Sequence, residues 1–227
     1  MVHKGKSTTT KDEIVHRLRR LDCCAVSDAL DKLGLSGVVT GVPQASGSKR
    51  IAGRVITMKL APGEPPPGPP RHLGTTAVEF GDPDSVIVIE QTSGVDAGCW
   101  GGILSLAAKV KGIAGVVADG PVRDIDESRE MGFPVFTQKL TSRTARSRIV
   151  EKAVNEPVTV FGITTNAGDY VIADSSAVIF ISAANVAKVV ETAEMIAGKE
   201  ALMAKAVLAG TPVHEVMASN YEFMLKG

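Results

Sequence analysis

The chain has 227 residues, 44% hydrophobic and 22% charged, which suits one compact domain with a sizeable core. Its 25 basic residues balance 25 acidic ones, so no net field steers it toward nucleic acid or an anionic membrane, and no apolar stretch reaches membrane-spanning length. The three cysteines, Cys23, Cys24 and Cys99, have neither zinc-site nor disulfide-framework spacing and read as small buried hydrophobes in a reducing compartment.

Residues 1–10 read as a flexible terminus and 11–227 as a single domain. MVHKGKSTTTKDE has no apolar core behind its basic residues, so it does not read as a secretory signal, and a cytoplasmic protein is expected. KDEIVHRLRRL (11–21) has Ile14, Leu18 and Leu21 at helical spacing. AVSDALDKLGL (25–35) is a second helix, with Ser27 or Asp28 as its cap and Gly34 as its left-handed stop. β-branched clusters cut by Gly and Pro follow, as short strands would be. APGEPPPGPPRHLG (61–74) is a proline island expected as an exposed loop. DSVIVIEQ (84–91) is a buried strand. GGILSLAAKVKG (101–112) is a glycine-opened helix, with Ile103, Leu104, Ala107, Ala108 and Val110 inward and Lys109 and Lys111 outward. Then come a strand at 113–119, a short helix at 124–132, a strand at 133–138, strand-rich segments at 157–165 and 169–182, and a long helix at 183–210 with a candidate break at Gly198. The tally is a mixed α/β domain without internal repeats.

ADGPVRDIDE (118–127) holds the candidate chemistry. A strand ending at Asp119 delivers a loop at its carboxyl end, where open α/β sheets bind ligands. Arg123 offers a planar fork of donors to a carboxylate. Asp124 and Glu127, three apart, share a helical face and suit a divalent ion such as Mg²⁺. The N–H groups of a helix opened by Gly101 and Gly102 offer an anion site around Ile103 and Leu104. The plainer alternative is acids drawn to a first helical turn by its dipole, beside a solvated Arg–Asp pair.

WGGILSLAAKVKGIAGVVADGPVRDIDE resembles the central block of the RraA-like and 4-hydroxy-4-methyl-2-oxoglutarate aldolase family of class II, metal-dependent pyruvate aldolases. One branch carries Asp, twenty residues, then Arg-Asp; another carries Gly, twenty residues, Arg-Asp, two residues, then an acid. Gly102, Arg123, Asp124 and Glu127 fit the second form, so the water-polarising job of the missing acid at 102 passes to Glu127. LDCCAVSDALDKLGLSGVVTGV, RIAGRVITMKL and NAGDYVIADSSAVIFIS are also similar to family segments, with Ser176-Ala177 where many members have an Asp-Gly-like pair. GKEALMAKAVLAGTP resembles the C-terminal helix, from which a glutamate reaches a neighbouring subunit's site in some members; Glu200 matches it by position.

The resemblance implies a swivelling β/β/α sandwich with flanking N- and C-terminal helices, assembled as a homotrimer or homohexamer. It implies Mg²⁺ or Mn²⁺ held by Asp124 and Glu127, and a small 2-oxo acid bound by Gly101, Gly102, Ile103, Leu104 and Arg123. Arg123 and Asp124 are the implied catalytic residues. The expected reaction is retro-aldol cleavage, oxaloacetate decarboxylation, or both, through a pyruvate enolate. The alternative is a protein that regulates a ribonuclease by binding it, as some RraA-like members do. His3, His16, His72 and His214 show no ligand spacing, and Trp100 reads as core or subunit contact. Cys99 has no visible histidine partner for a nucleophile.

Overall fold

Two aspartates start the first two helices of the computed structural model, which describes residues 12–64, 67–69 and 71–218. Asp12 accepts the Ile14 and Val15 amides and caps α1 (Glu13–Leu18). Asp22 accepts the Ala25 amide at 2.8 Å and caps α2 (Cys23–Leu33), which Gly34 closes at φ 64°. The expected caps, Ser27 and Asp28, therefore lie inside this helix, because the Asp22 carboxylate starts it earlier. The expected flexible terminus, 1–10, lies outside the described residues.

The chain then runs through β1 (Val38–Val39), β2 (Gln44–Ser46), β3 (Ile51–Ala61), α3 (Thr75–Phe80), β4 (Ser85–Glu90), α4 (Gly102–Lys111), β5 (Gly115–Asp119), α5 (Ile125–Met131) and β6 (Val135–Thr137). It continues with β7 (Val150–Val154), β8 (Val158–Val160), β9 (Ile163–Thr165), β10 (Tyr170–Ala173), β11 (Val178–Ile181), α6 (Val186–Leu208) and α7 (Val213–Ala218). Strands pair in the order β1-β11-β10-β3-β4-β5-β6-β2, with β7 also on β3. The centre, β3 to β6, is parallel, and α3, α4 and α5 are its crossovers.

Alternation along the strands explains the layers. Ile56, Met58, Ile87, Ile89, Val116 and Ala118 face α3 and α4, while Ala52, Ile172 and Ile179 on the same side meet α1, α2 and α6. The opposite side chains, among them Val55, Val86, Val88, Val117 and Phe136, pack against Val158 and Val160 of the β8–β9 hairpin. Hairpin, sheet and helices make the β/β/α sandwich. β4 is buried on both faces, as expected of a central parallel strand.

Three readings change. α6 runs unbroken through Gly198, since one helical glycine costs only about 1 kcal/mol among strong helix formers. Ile103 and Val110 are 78% and 79% exposed, and the buried stripe of α4 is instead Gly102, Leu104, Ser105 and Ala108. Cys24 is exposed, while Cys23 and Cys99 are buried.

Candidate active site

The site lies past the carboxyl ends of β4 and β5, where three connecting segments zip together. Trp100 bridges Val122 and Val122 bridges Leu140, both in parallel, so the sheet's pairing pattern continues beyond the strands. The Cys99 amide donates to Pro121 at 2.8 Å, the Arg123 amide to Trp100 at 3.0 Å, and the Thr141 amide to Val122 at 2.9 Å. Buried Gln91 braces the preceding loop by donating to the carbonyls of Val95 and Ala97. The backbone that presents Arg123 is thus clamped on both sides.

Asp124 sits at φ 54° and ψ 37°, a left-handed conformation that a residue other than glycine adopts rarely and that Asp tolerates. In this pose its carboxylate makes no capping bond to α5, the helix it begins. One oxygen accepts the Gly102 amide at 3.3 Å, and the Arg123 Nε lies 3.1 Å from both. The carboxylate turns to the start of α4 rather than capping its own helix.

Gly101 and Gly102 make room for that approach. A methyl group on Gly102 would stand 1.7 Å from Glu127 Oε2, and one on Gly101 would stand 2.9 Å from Asp124 Oδ2. Two carboxylates therefore converge on the start of α4, and the Glu127 carboxylate has no hydrogen-bond partner among the described residues. Gly101 caps α4 without a side chain, so the Ile103 and Leu104 amides of its first turn have no side-chain capping acceptor.

The other acids of the motif are spent elsewhere. Asp119 accepts the Phe161 amide at 2.6 Å, tying the β8–β9 hairpin to the sheet, and Asp126 pairs with Arg129. Among the described residues no group of three or more His, Cys, Asp or Glu is placed to hold a metal. The two-carboxylate set, one oriented by Arg123 and the other unpartnered, still matches the hard-oxygen chemistry of Mg²⁺ or Mn²⁺, which keep several waters.

Sequence reasoning missed a buried polar relay. Trp100 is 1% exposed, and its indole N–H donates to Ser105 Oγ at 2.9 Å, which lies 2.8 Å from Ser128 Oγ. The relay joins α4 to α5 and so fixes the separation of Gly102 and Glu127. A serine amid the apolar residues of α4, and a tryptophan that needs an acceptor, were the available signals.

Glu200 is not brought to this site within the chain. It lies on α6, where partial burial and the Asp22 and Asp28 carboxylates raise its pKa. Burial pushes the Cys99 thiol up to about 12, which removes it as a nucleophile at neutral pH. His72 is exposed, with Nδ1 2.8 Å from the Leu73 carbonyl.

The RraA-like family pattern, described as Aldolase/RraA, matches residues 23–180. The chain belongs to the RraA-like family. It is 27% identical over 206 residues to Protein DlpA of Legionella pneumophila, covering 91% of this chain but only 33% of DlpA, so it spans about a third of that relative. A Halalkalibacterium halodurans protein provisionally named a 4-hydroxy-4-methyl-2-oxoglutarate aldolase is 26% identical over 170 residues, covering 74% of this chain and 76% of its own. An uncharacterized Pseudomonas syringae protein superposes with a TM-score of 0.79 at 28% identity, covering 89% of this chain and 96% of its own. Streptomyces coelicolor RraAS2, described as an unusual member of the RNase ES inhibitor RraA family, superposes with a TM-score of 0.73 at 25% identity, covering 85% and 96%. The fold expected from the sequence is the fold found.

Proposed function

We propose that this chain is a divalent-metal-dependent carbon–carbon lyase that cleaves small 2-oxo acids through a pyruvate enolate. The observation that supports it is the convergence of Asp124 and Glu127 on the side-chain-free backbone of Gly101–Gly102, with Arg123 alongside. Relatives provisionally named as aldolases point the same way.

Asp124 and Glu127 are the residues that would hold Mg²⁺ or Mn²⁺, and the ion when bound supplies positive charge at the substrate's keto oxygen. Arg123 donates to that oxygen as negative charge builds on it, and its clamped backbone means little reorganisation is needed. The amides at Ile103 and Leu104 hold the substrate carboxylate at the start of α4. Glu127, without a protein partner, serves the proton transfer that an acid at 102 would serve in the other branch. The same enolate arises whether the departing fragment is a carbonyl compound or carbon dioxide, so aldol cleavage and oxaloacetate decarboxylation belong together.

Ile103, Leu106 and Val110 make an outward apolar stripe on α4, and Leu202, Leu208 and Val213 another on α6 and α7. Exposed apolar surface next to the site supports a homotrimer or homohexamer in which Glu200 serves a neighbouring subunit. No described helix is long and apolar enough to cross a membrane. Pyruvate release from 4-hydroxy-4-methyl-2-oxoglutarate and from oxaloacetate, with Mg²⁺ or Mn²⁺ and then with chelator, tests the reading. The expected result is turnover that the chelator abolishes. The likeness to RraAS2 favours a second reading, a ribonuclease-binding regulator, which turnover of neither substrate would support.

A further inference from the structure

Trp100 holds the candidate motif at both of its ends. Its carbonyl accepts the Arg123 amide at 3.0 Å. Its indole N–H reaches Ser105 Oγ, which meets Ser128 Oγ, the neighbour in the chain of Glu127. All three relay side chains are buried, so none of them can touch a substrate.

The need for such a hold lies in α5 itself. Seven residues make a helix too short to keep its shape unaided. Its C-terminal half is tied from three sides: Lys109 Nζ donates to the Met131 carbonyl, Arg129 Nε to the Ala45 carbonyl at 2.9 Å, and the Phe133 amide to the Ser128 carbonyl at 3.0 Å. The first turn is looser. There the Ser128 amide lies 3.4 Å from the Asp124 carbonyl, long for a backbone bond, and Asp124 supplies no side-chain cap. Ser128 is the fully buried side chain of α5, and it spends that burial on a hydroxyl bond to α4 rather than on apolar packing. Glu127 stands in this loose turn, exposed, with no partner for its carboxylate among the described residues, so its place over Gly102 is inherited from the backbone that Ser128 pins. A seat made of two carboxylates tolerates little drift in either.

We infer that Trp100 is a positioning residue: through Ser105 and Ser128 its indole sets the height of Glu127 over the start of α4, while its carbonyl sets Arg123. One buried residue thus keeps the acids and the guanidinium in register. The inference rests on the proposed lyase reading, in which Asp124 and Glu127 hold the ion. Calorimetric titration of the full chain with Mn²⁺, beside thermal melts, tests it. Trp100→Phe keeps an aromatic ring and deletes the donor, and Ser128→Ala deletes the far hydroxyl and decides alone if Trp100→Phe does not fold. Each is expected to weaken Mn²⁺ binding about tenfold, as contacts that support metal ligands do. Thr57→Val is the control: it removes a buried hydroxyl that donates to the Glu156 carbonyl at 2.7 Å, and should lower the melting temperature while leaving Mn²⁺ affinity unchanged. Wild-type affinity in either folded relay variant, or an equal loss in Thr57→Val, would overturn the inference and leave the lyase reading standing. No Mn²⁺ uptake by wild type would overturn both.

Discussion

Two sets of acids meet at the carboxyl ends of the central strands, and they do opposite work. Glu90 and Asp119, the last residues of β4 and β5, are consumed by structure: Glu90 accepts the Thr159 amide at 2.7 Å and pairs with Lys59, and Asp119 accepts the Phe161 amide. Asp124 and Glu127, a few residues on, leave the capping of their own helix undone and lean over the start of α4. The residue type is the same, and what differs is the hold on it: Glu90 and Asp119 take short bonds from hairpin amides, whereas Asp124 takes a long one from the Gly102 amide at 3.3 Å and Glu127 takes none. Carboxylates that tether a hairpin through short bonds contribute stability, whereas carboxylates bonded weakly or not at all to the backbone remain available to a ligand.

That contrast breaks most sharply at Arg123. Arg123→Ala is expected to lose at least about two orders of magnitude in kcat at an unchanged melting temperature, since a preorganised donor to developing charge contributes about 3–4 kcal/mol. Next is Gly102→Ala, whose methyl group must displace the flexible Glu127 carboxylate from 1.7 Å. Activity should fall about tenfold or more, while stability holds or rises by up to about 1 kcal/mol from the better helix former, as thermal melts would show. On the structural side, Asp119→Ala strands the Phe161 amide and should cost about 1–3 kcal/mol in denaturant unfolding, with activity per folded molecule near wild type. The smallest effect belongs to Asp174, another tethering acid. Burial pushes its carboxyl up, but the Cys23 amide at 2.9 Å and the Ser176 amide at 2.8 Å outweigh this and hold it below its ordinary range. A depressed folded-state pKa contributes stability above the unfolded value of about 3.9 that is lost as pH falls through the folded one. Unfolding curves of Asp174→Asn should therefore lose part of the wild type's decline below about pH 4.

The sequence carried the layers and the motif further than it carried orientation. β4 and β5 were legible because a fully apolar run between turn signals has few other homes. α3 was missed because six residues after a proline island show too little periodicity, and β7 because its burial is only partial along its length. Ile103 and Val110 were read inward because apolar residues default to the core, yet the Trp100 indole draws Ser105 inward and leaves them outside. Arg123, Asp124 and Glu127 lie beside Gly101 and Gly102, while the left-handed turn at Asp124 depends on contacts between segments twenty-two positions apart and has no local signature. Glu200 lies beside Asp22 and Asp28, and its proposed service to a neighbouring subunit depends on an assembly that no single chain encodes locally.

Asp124 and Glu127 are expected to form a divalent-cation seat. Electron paramagnetic resonance of added Mn²⁺, titrated into wild type and into Asp124→Ala/Glu127→Ala, tests it without any assumption about substrate. Wild type is expected to quench the free-ion signal and to shift further when pyruvate is added, with the double variant doing neither. Equal Mn²⁺ uptake by the two proteins would show that these carboxylates do not seat the ion.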